Sequence, residues 1–360
     1  MSTAASASQP IDESKLNEFM GKAVADMGAA IHAVMILLGD RLGLYKAMAD
    51  SRPVTSGELA NRAGLTERYV REWLNSNAAS GYVTYDAATK TFTLPPEQAL
   101  ALAVEESPVF LPGVFQILSA CYNDAPKIEN AFRTGQGVGW HEHHHDLFHG
   151  TERFFRPNYN ANLVSSWIPA LDGVEAKLRS GAKVADVGCG LGASTILMAK
   201  SYPKSTFVGF DYHGKSIELA REAAAEAGVQ ERVHFEVAAA KAFPGNDYDF
   251  VAFFDCLHDM GDPAGAASHV KSSLKPDGTW MIVEPFAGDT PESNHNPIGR
   301  IFYSASTMLC VPASMSQEVG AALGAQAGEA NIRKVVETGG FTRFRRAAQT
   351  PFNLVFEARP

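Results

Sequence analysis

The chain has 360 residues, enough for about two domains. Hydrophobic residues make up 46% and charged residues 20%, an ordinary globular mix with material for real cores. The net charge of −9 gives no attraction for nucleic-acid phosphates or anionic membrane surfaces, so neither is expected as a partner.

Residues 1–15 read as a disordered Ala/Ser-rich tail. The tail lacks a basic region followed by an apolar run, so it is not a secretory signal. No uninterrupted apolar stretch approaches the ~20 residues of a membrane span. A cytoplasmic protein is expected.

Residues 16–100 read as an N-terminal helix followed by a winged helix. Apolar residues recur at helical spacing at Leu16, Met20, Val24, Met27, Ile31, Met35, Leu38 and Leu42. The small residues Gly21, Gly28, Ala29 and Ala30 leave the stretch too apolar to stand alone in water. It packs either within one subunit or against a second, and the second reading predicts a homodimer. A helix over Asp40–Asp50 follows. Val54–Glu58 opens the next helix, with Thr55 or Ser56 as cap. Gly64-Leu65-Thr66 makes the turn, and Thr66 caps a third helix over Glu67–Ser80. Gly81–Tyr85 and Thr91–Leu94 are the strands of the wing. Such a unit binds DNA or serves as a dimerisation scaffold. Seven Lys/Arg against seven Asp/Glu over residues 31–100 favour the scaffold.

Residues 101–175 read as a helical linker that roofs a pocket, with breaks near Pro112-Gly113 and over 135–139. Within it, Trp140–Asp146 and His149 form a histidine-rich run. On one helix, His141, His145 and His149 would share a face and could bind a metal. The other readings are a pocket-lining segment and a polar turn without specific role. Trp140, His141 and His145 are assigned to the acceptor pocket. The four cysteines (121, 189, 256, 310) have no paired spacing, so neither a disulfide framework nor a metal site is expected.

Residues 176–360 carry the chemistry. A short apolar strand runs to Asp186, followed by Gly188, Gly190 and Gly192 and a helix opening at Ala193-Ser194-Thr195. Such glycines let the backbone turn sharply and let a ligand lie against bare main chain. The pattern is Gly-x-Gly-x-Gly, with an acid two residues before the first glycine. That carboxylate would repel a pyrophosphate but suits an ammonium group. The donor with an ammonium, a sulfonium and no phosphate is S-adenosylmethionine. A second strand, Ser205–Asp211, ends in an acid placed to accept both ribose hydroxyls. Tyr212 follows and could lie against adenine. Further strands are Val233–Ala239, Tyr248–Asp255 and Gly278–Pro285. The long stretch 286–314, with apolar patches that include Phe302 and Tyr303, reads as an acceptor-pocket lid. Phe341–Ala348 and Asn353–Arg359 form a closing antiparallel pair.

His258 leaves the fourth strand of this set facing the crevice where ligands bind in such sheets, and its near-neutral pKa suits proton transfer.

From about residue 155 to the end, these segments resemble the class I S-adenosylmethionine-dependent methyltransferases. Leu257-His258-Asp259-Met260-Gly261-Asp262 is similar to the Leu-His-Asp-Trp-x-Asp motif of small-molecule O-methyltransferases that carry an N-terminal winged helix. The resemblance implies an α/β fold: a Rossmann-like, seven-stranded methyltransferase sheet with an antiparallel C-terminal strand, plus a winged-helix α+β domain and a helical linker. It implies His258 as general base, oriented by Glu284. It places Phe155 and Tyr159 at the donor's methionine end and Ala239, Ala240 and Asp255 around the cofactor. Met260 stands where the family has Trp, and Ala239 where many members have Asp, so the adenine contacts differ. The reading is an enzyme that methylates a small aromatic or phenolic acceptor and releases S-adenosyl-L-homocysteine. The alternatives are a DNA-binding regulator that uses the domain as a ligand sensor, and an NAD-dependent reductase.

Overall fold

The computed structural model describes residues 10–360. The chain divides into two compact units that meet in sequence between Phe115 and Gln116, inside the stretch expected as a linker.

The first unit opens with a 29-residue helix, Glu13–Arg41, capped by the Asp12 carboxylate accepting from the N–H groups of Ser14 and Lys15. The expected tail therefore reaches only to this cap, and its residues 1–9 lie outside the described residues. By length and composition the helix is apolar enough to cross a membrane. That corrects the sequence expectation, which counted uninterrupted runs. Gly and Ala keep an 18-residue window apolar although Lys22 and Asp26 lie in the same helix. One face, with Ile36 and Leu37, is buried, while Val24, Met27, Ile31 and Val34 are exposed.

The helix expected over Asp40–Asp50 is broken by Gly43 at φ +69° and resumes only for Leu44–Ala47. Ser56–Ala63 begins with a full capping box between Thr55 and Glu58 and ends at Gly64, φ +67°. Glu67–Ala79 follows. The wing pairs β1 (Thr84–Asp86) with β2 (Thr91–Thr93). The core of this unit gathers Tyr45, Val54, Trp73, Leu74 and Phe92. Asn77, wholly buried, accepts the Tyr45 hydroxyl at 2.6 Å, so the core leaves that polar pair satisfied.

The second unit holds a seven-stranded sheet: β3 (Lys183–Val187), β4 (Thr206–Asp211), β5 (Val233–Val237), β6 (Tyr248–Phe254), β7 (Leu274–Pro285), β8 (Arg343–Gln349) and β9 (Asn353–Arg359). Its order is β5-β4-β3-β6-β7-β9-β8, parallel except for the antiparallel pairing of β9 with β7 and β8. This is the Rossmann-like sheet with antiparallel closing strand expected from the sequence. The central strands read as apolar runs because helices bury both faces. One face packs on Trp167, Met198 and Phe207, the other on Trp280, Ile332 and Val336. Strand order reverses between β3 and β6, and the crevice at the carboxyl ends there is where such sheets bind ligands. After β7 the chain forms the helix Pro297–Ala305, a π-helical turn Ser306–Cys310 and the short helix Val311–Met315.

Candidate active site

A cavity of about 400 Å³ opens above the reversal point. Its floor is the glycine loop. Gly188 takes φ +77°, and a Cβ there would meet Cys256 Sγ at 2.6 Å, so this close approach and left-handed turn require glycine. Gly190, φ +51°, has open space on its Cβ side, which leaves bare main chain toward the cavity. Gly192 serves packing instead: a Cβ there would meet Phe235 at 2.6 Å, and the residue does not border the cavity.

Asp211, at the carboxyl end of β4, borders the cavity. Its Oδ2 accepts the Gly190 N–H at 3.0 Å and its Oδ1 the His213 N–H at 2.8 Å. The loop and the acid are thus locked together, and burial raises the carboxyl pKa. Tyr212 and Ala238–Ala240 continue this wall.

Asp186 lies under the loop, fully buried and outside the cavity wall. Its Oδ2 accepts the hydroxyls of Ser194 and Thr195, each at 2.6 Å, and ties the following helix to β3. Its Oδ1 has no partner. Burial pushes its pKa up to about 6, against the pull of the two hydroxyls.

The opposite wall comes from the helix Asp146–Asn162. Phe155 and Tyr159, one turn apart, stack at 5.9 Å, and both border the cavity. Tyr159 donates to Asp255 Oδ2 at 3.4 Å, and Asn353 on β9 donates to Asp255 Oδ1 at 2.8 Å. Asp255 sits at φ +50°, a strained backbone for a non-glycine residue, at the end of β6. Asn353 escaped the sequence reading because nothing local marks it; only the insertion of β9 beside β7 brings it there.

His258 follows in the turn Leu257–Asp259 and stands behind the wall rather than in it, with 3% of its surface exposed. Its Nδ1 is 2.5 Å from Glu284 Oε2, at the end of β7, and its Nε2 is 3.0 Å from Asp259 Oδ1. Glu284 also accepts the Leu257 N–H at 3.1 Å. Burial opposes a charge on the ring, but the carboxylates of Asp259 and Glu284 outweigh it and hold the pKa well above the usual imidazole value. The cavity is bordered by Asp259, not by its neighbour.

The histidine-rich run does not form one helix. Trp140–Glu142 is a single 3₁₀ turn, and the helix begins only at Asp146. His141, His145 and His149 therefore do not share a continuous helical face. Trp140 borders the cavity, His141 meets Tyr212 edge-on at 6.3 Å, and the His145 side chain is 74% exposed. Neither Phe302 nor Tyr303 reaches the cavity. Phe302 packs against a cluster with Ala120, Leu147 and Leu309, and Tyr303 is exposed. From the segment after β7, Ala313 and Gln317 reach the wall instead. The Gln317 amide donates to the Asp259 carbonyl at 3.0 Å, a long-range bond without a sequence motif.

An adenosyl sulfonium donor fits these residues. A ribose diol can meet the Asp211 carboxylate, the open backbone at Gly190 can lie along the ligand, and the orphaned Asp186 Oδ1 offers negative charge beneath the loop.

Residues 30–104 match the Rv2258c-like winged HTH domain family, and residues 178–339 match a methyltransferase domain family. The chain is 33% identical over 136 residues to a ubiquinone biosynthesis O-methyltransferase of Leptothrix cholodnii, covering 37% of this chain and 54% of that protein. It spans about half or less of the length of the curated relatives that it matches. Similar solved structures include an O-methyltransferase family protein from Burkholderia thailandensis (TM-score 0.69, 15% identity, 98% and 99% of the two chains). Another is human N-acetylserotonin methyltransferase in complex with SAM (TM-score 0.68, 15% identity, 99% of each chain). At these identities the likeness establishes the fold.

Proposed function

We propose that this chain, a class I S-adenosylmethionine-dependent methyltransferase with an N-terminal winged-helix domain, methylates a small aromatic or phenolic acceptor. The observation that carries the reading is Asp211, joined to the Gly190 N–H in the wall of a cavity at the switch point of the sheet. The donor supplies a methyl group already activated by its sulfonium. What the protein adds is alignment, which can supply ~7–11 kcal/mol of the barrier. Asp211 and Tyr212 hold the nucleoside part, Ala239 and Ala240 flank the base, and Phe155 and Tyr159 close over the methionine end. Asp255 fixes Tyr159. The aromatic and aliphatic character of Trp140, Phe148, Phe254 and Met260 supports a flat apolar acceptor.

His258 is the proposed general base for an oxygen acceptor. Glu284 fixes the ring through Nδ1, so Nε2 is the atom that takes the proton. In the present arrangement Nε2 faces Asp259, which itself borders the cavity. A small rotation of Asp259 gives the acceptor access, and the ring must first be neutral.

A homodimer built on the first helix is supported by its row of exposed apolar side chains, Ile31 being 71% exposed. A regulator role finds less support: on Glu67–Ala79, Arg68 and Arg71 are spent on Glu72 and Glu67. The four cysteines are unpaired. The test is calorimetric binding of S-adenosylmethionine, followed by turnover on a panel of phenols. Absence of donor binding would defeat the reading.

A further inference from the structure

The segment after β7 returns a cysteine to the buried histidine. Cys310 closes the π-helical turn Ser306–Cys310, a local irregularity often found at functional sites. Its Sγ, His258 Nε2 and Asp259 Oδ1 all lie within 4.8 Å of one another. His258 and Cys310 are buried and Asp259 is half-buried at the cavity wall. Sequence spacing gave no sign of this, because 51 residues separate Asp259 from Cys310.

Four observations point to a cation. The donors are a thiol, an imidazole nitrogen and a carboxylate oxygen, the mixed set that suits Zn²⁺. Three protein donors leave a fourth position open, and Asp259 at the cavity wall provides an entry path. The outer support is already built. Glu284 holds His258 Nδ1 and is itself anchored by the Leu257 N–H, so the ring is oriented with Nε2 as the ligating atom. Finally, Asp259 Oδ1 is buried and, although 3.0 Å from Nε2, has no aligned hydrogen-bond donor.

We propose that Cys310, His258 and Asp259 form a binding site for a zinc-type divalent cation, and that its occupancy switches methyl transfer off. Binding replaces the thiol proton of Cys310 and any proton on His258 Nε2, releases them to solvent, and changes no oxidation state. The Nε2 lone pair is then committed to the metal and cannot take a proton from the acceptor. The inhibitory part rests on the base role of His258; the binding part does not.

The full chain, stripped with a chelator, is titrated with Zn²⁺ against a chromophoric chelator and, separately, with Co²⁺. One Zn²⁺ per chain is expected, together with a thiolate-to-cobalt charge-transfer band that disappears in Cys310→Ser and in Cys310→Ala. Both variants should bind S-adenosylmethionine as the metal-free parent does, since Cys310 does not border the cavity, and inhibition is read against each variant's own metal-free turnover. They should need at least about tenfold more Zn²⁺ for inhibition, the order of loss seen when a metal site is disturbed. Parent-like melting confirms that the variants are folded. Two results overturn the site: no cobalt–thiolate band, or a band that survives both variants. Binding that depends on Cys310 but leaves turnover untouched overturns the switch and the base role together, while the donor-binding reading stands.

Discussion

Glu284 Oε2 stands 2.5 Å from His258 Nδ1, and the same carboxylate accepts the Leu257 N–H. A strand end and a turn 26 residues apart in sequence thus hold one imidazole ring by its inner nitrogen. The pair fixes which nitrogen is left for chemistry. It also raises the ring's affinity for its proton.

Turnover should therefore rise with pH. The pKa of His258 is held above the usual imidazole value, so at low pH the ring carries a proton and cannot accept another. Activity appears as pH climbs through that raised value. Glu284→Gln removes one of the two charges that stabilise the imidazolium and should move the rise to lower pH. The kcat–pH profiles of parent and variant check this. An unchanged midpoint would remove Glu284 from the role.

His258→Ala should lower turnover by about 10²–10⁴ and leave donor affinity nearly intact, because the ring does not border the cavity. The measurement is kcat at saturating donor with a true acceptor. A loss below about fivefold eliminates the base role.

Asp211→Ala should weaken donor binding by roughly 1.5–3 kcal/mol for each charge-assisted hydrogen bond lost. It also frees the Gly190 N–H. Calorimetry on the variant decides, and equal affinity would sink the assignment.

Asp186 should leave a signature in stability. Its folded pKa is about 6, above that of an unfolded aspartate. A raised folded value means the contribution is fully present below about pH 4 and is lost as pH rises through about 6. A shift of this size corresponds to about 3 kcal/mol. Asp186→Asn, which keeps an acceptor for Ser194 and Thr195, should flatten that part of the profile. Urea midpoints between pH 4 and 7 for the two proteins provide the check.

Met27→Glu combined with Ile31→Glu should give a monomer, since both side chains are exposed on the apolar face of the first helix. Light scattering at micromolar concentration reports the mass. A double variant that remains a dimer would move the interface elsewhere.

The sheet was legible because three of its parallel strands end in or beside a recognisable acid: Asp186 near the end of β3, Asp211 at the end of β4, Asp255 after β6. Local chemistry announced the glycine turn. Burial was not announced. An acid two residues before a glycine reads as a ligand contact, yet Asp186 spends one oxygen on two hydroxyls and hides the other. His258 looked like a crevice residue because it follows β6, but the turn directs Asp259 to the cavity and packs His258 behind it. The histidine run failed as a helix because the 3₁₀ turn at Trp140–Glu142 ends in extended backbone at His143 and the helix begins only at Asp146, which breaks the period that the spacing argument assumed. Contacts made across long sequence separations, Asn353 with Asp255 and Cys310 near His258, carry no local signal at all.

β9 lies between β7 and β8, and its first residue, Asn353, steadies Asp255. A ribosome delivers this strand after every other strand of the sheet. Until it slots in, β7 keeps an open flank and Asp255 lacks one of its two supports, so a nascent chain can have its glycine loop formed and still lack a finished pocket. The pocket becomes competent for ligand only after this last strand of the sheet has been made, and until then an exposed sheet edge is the surface a chaperone would meet.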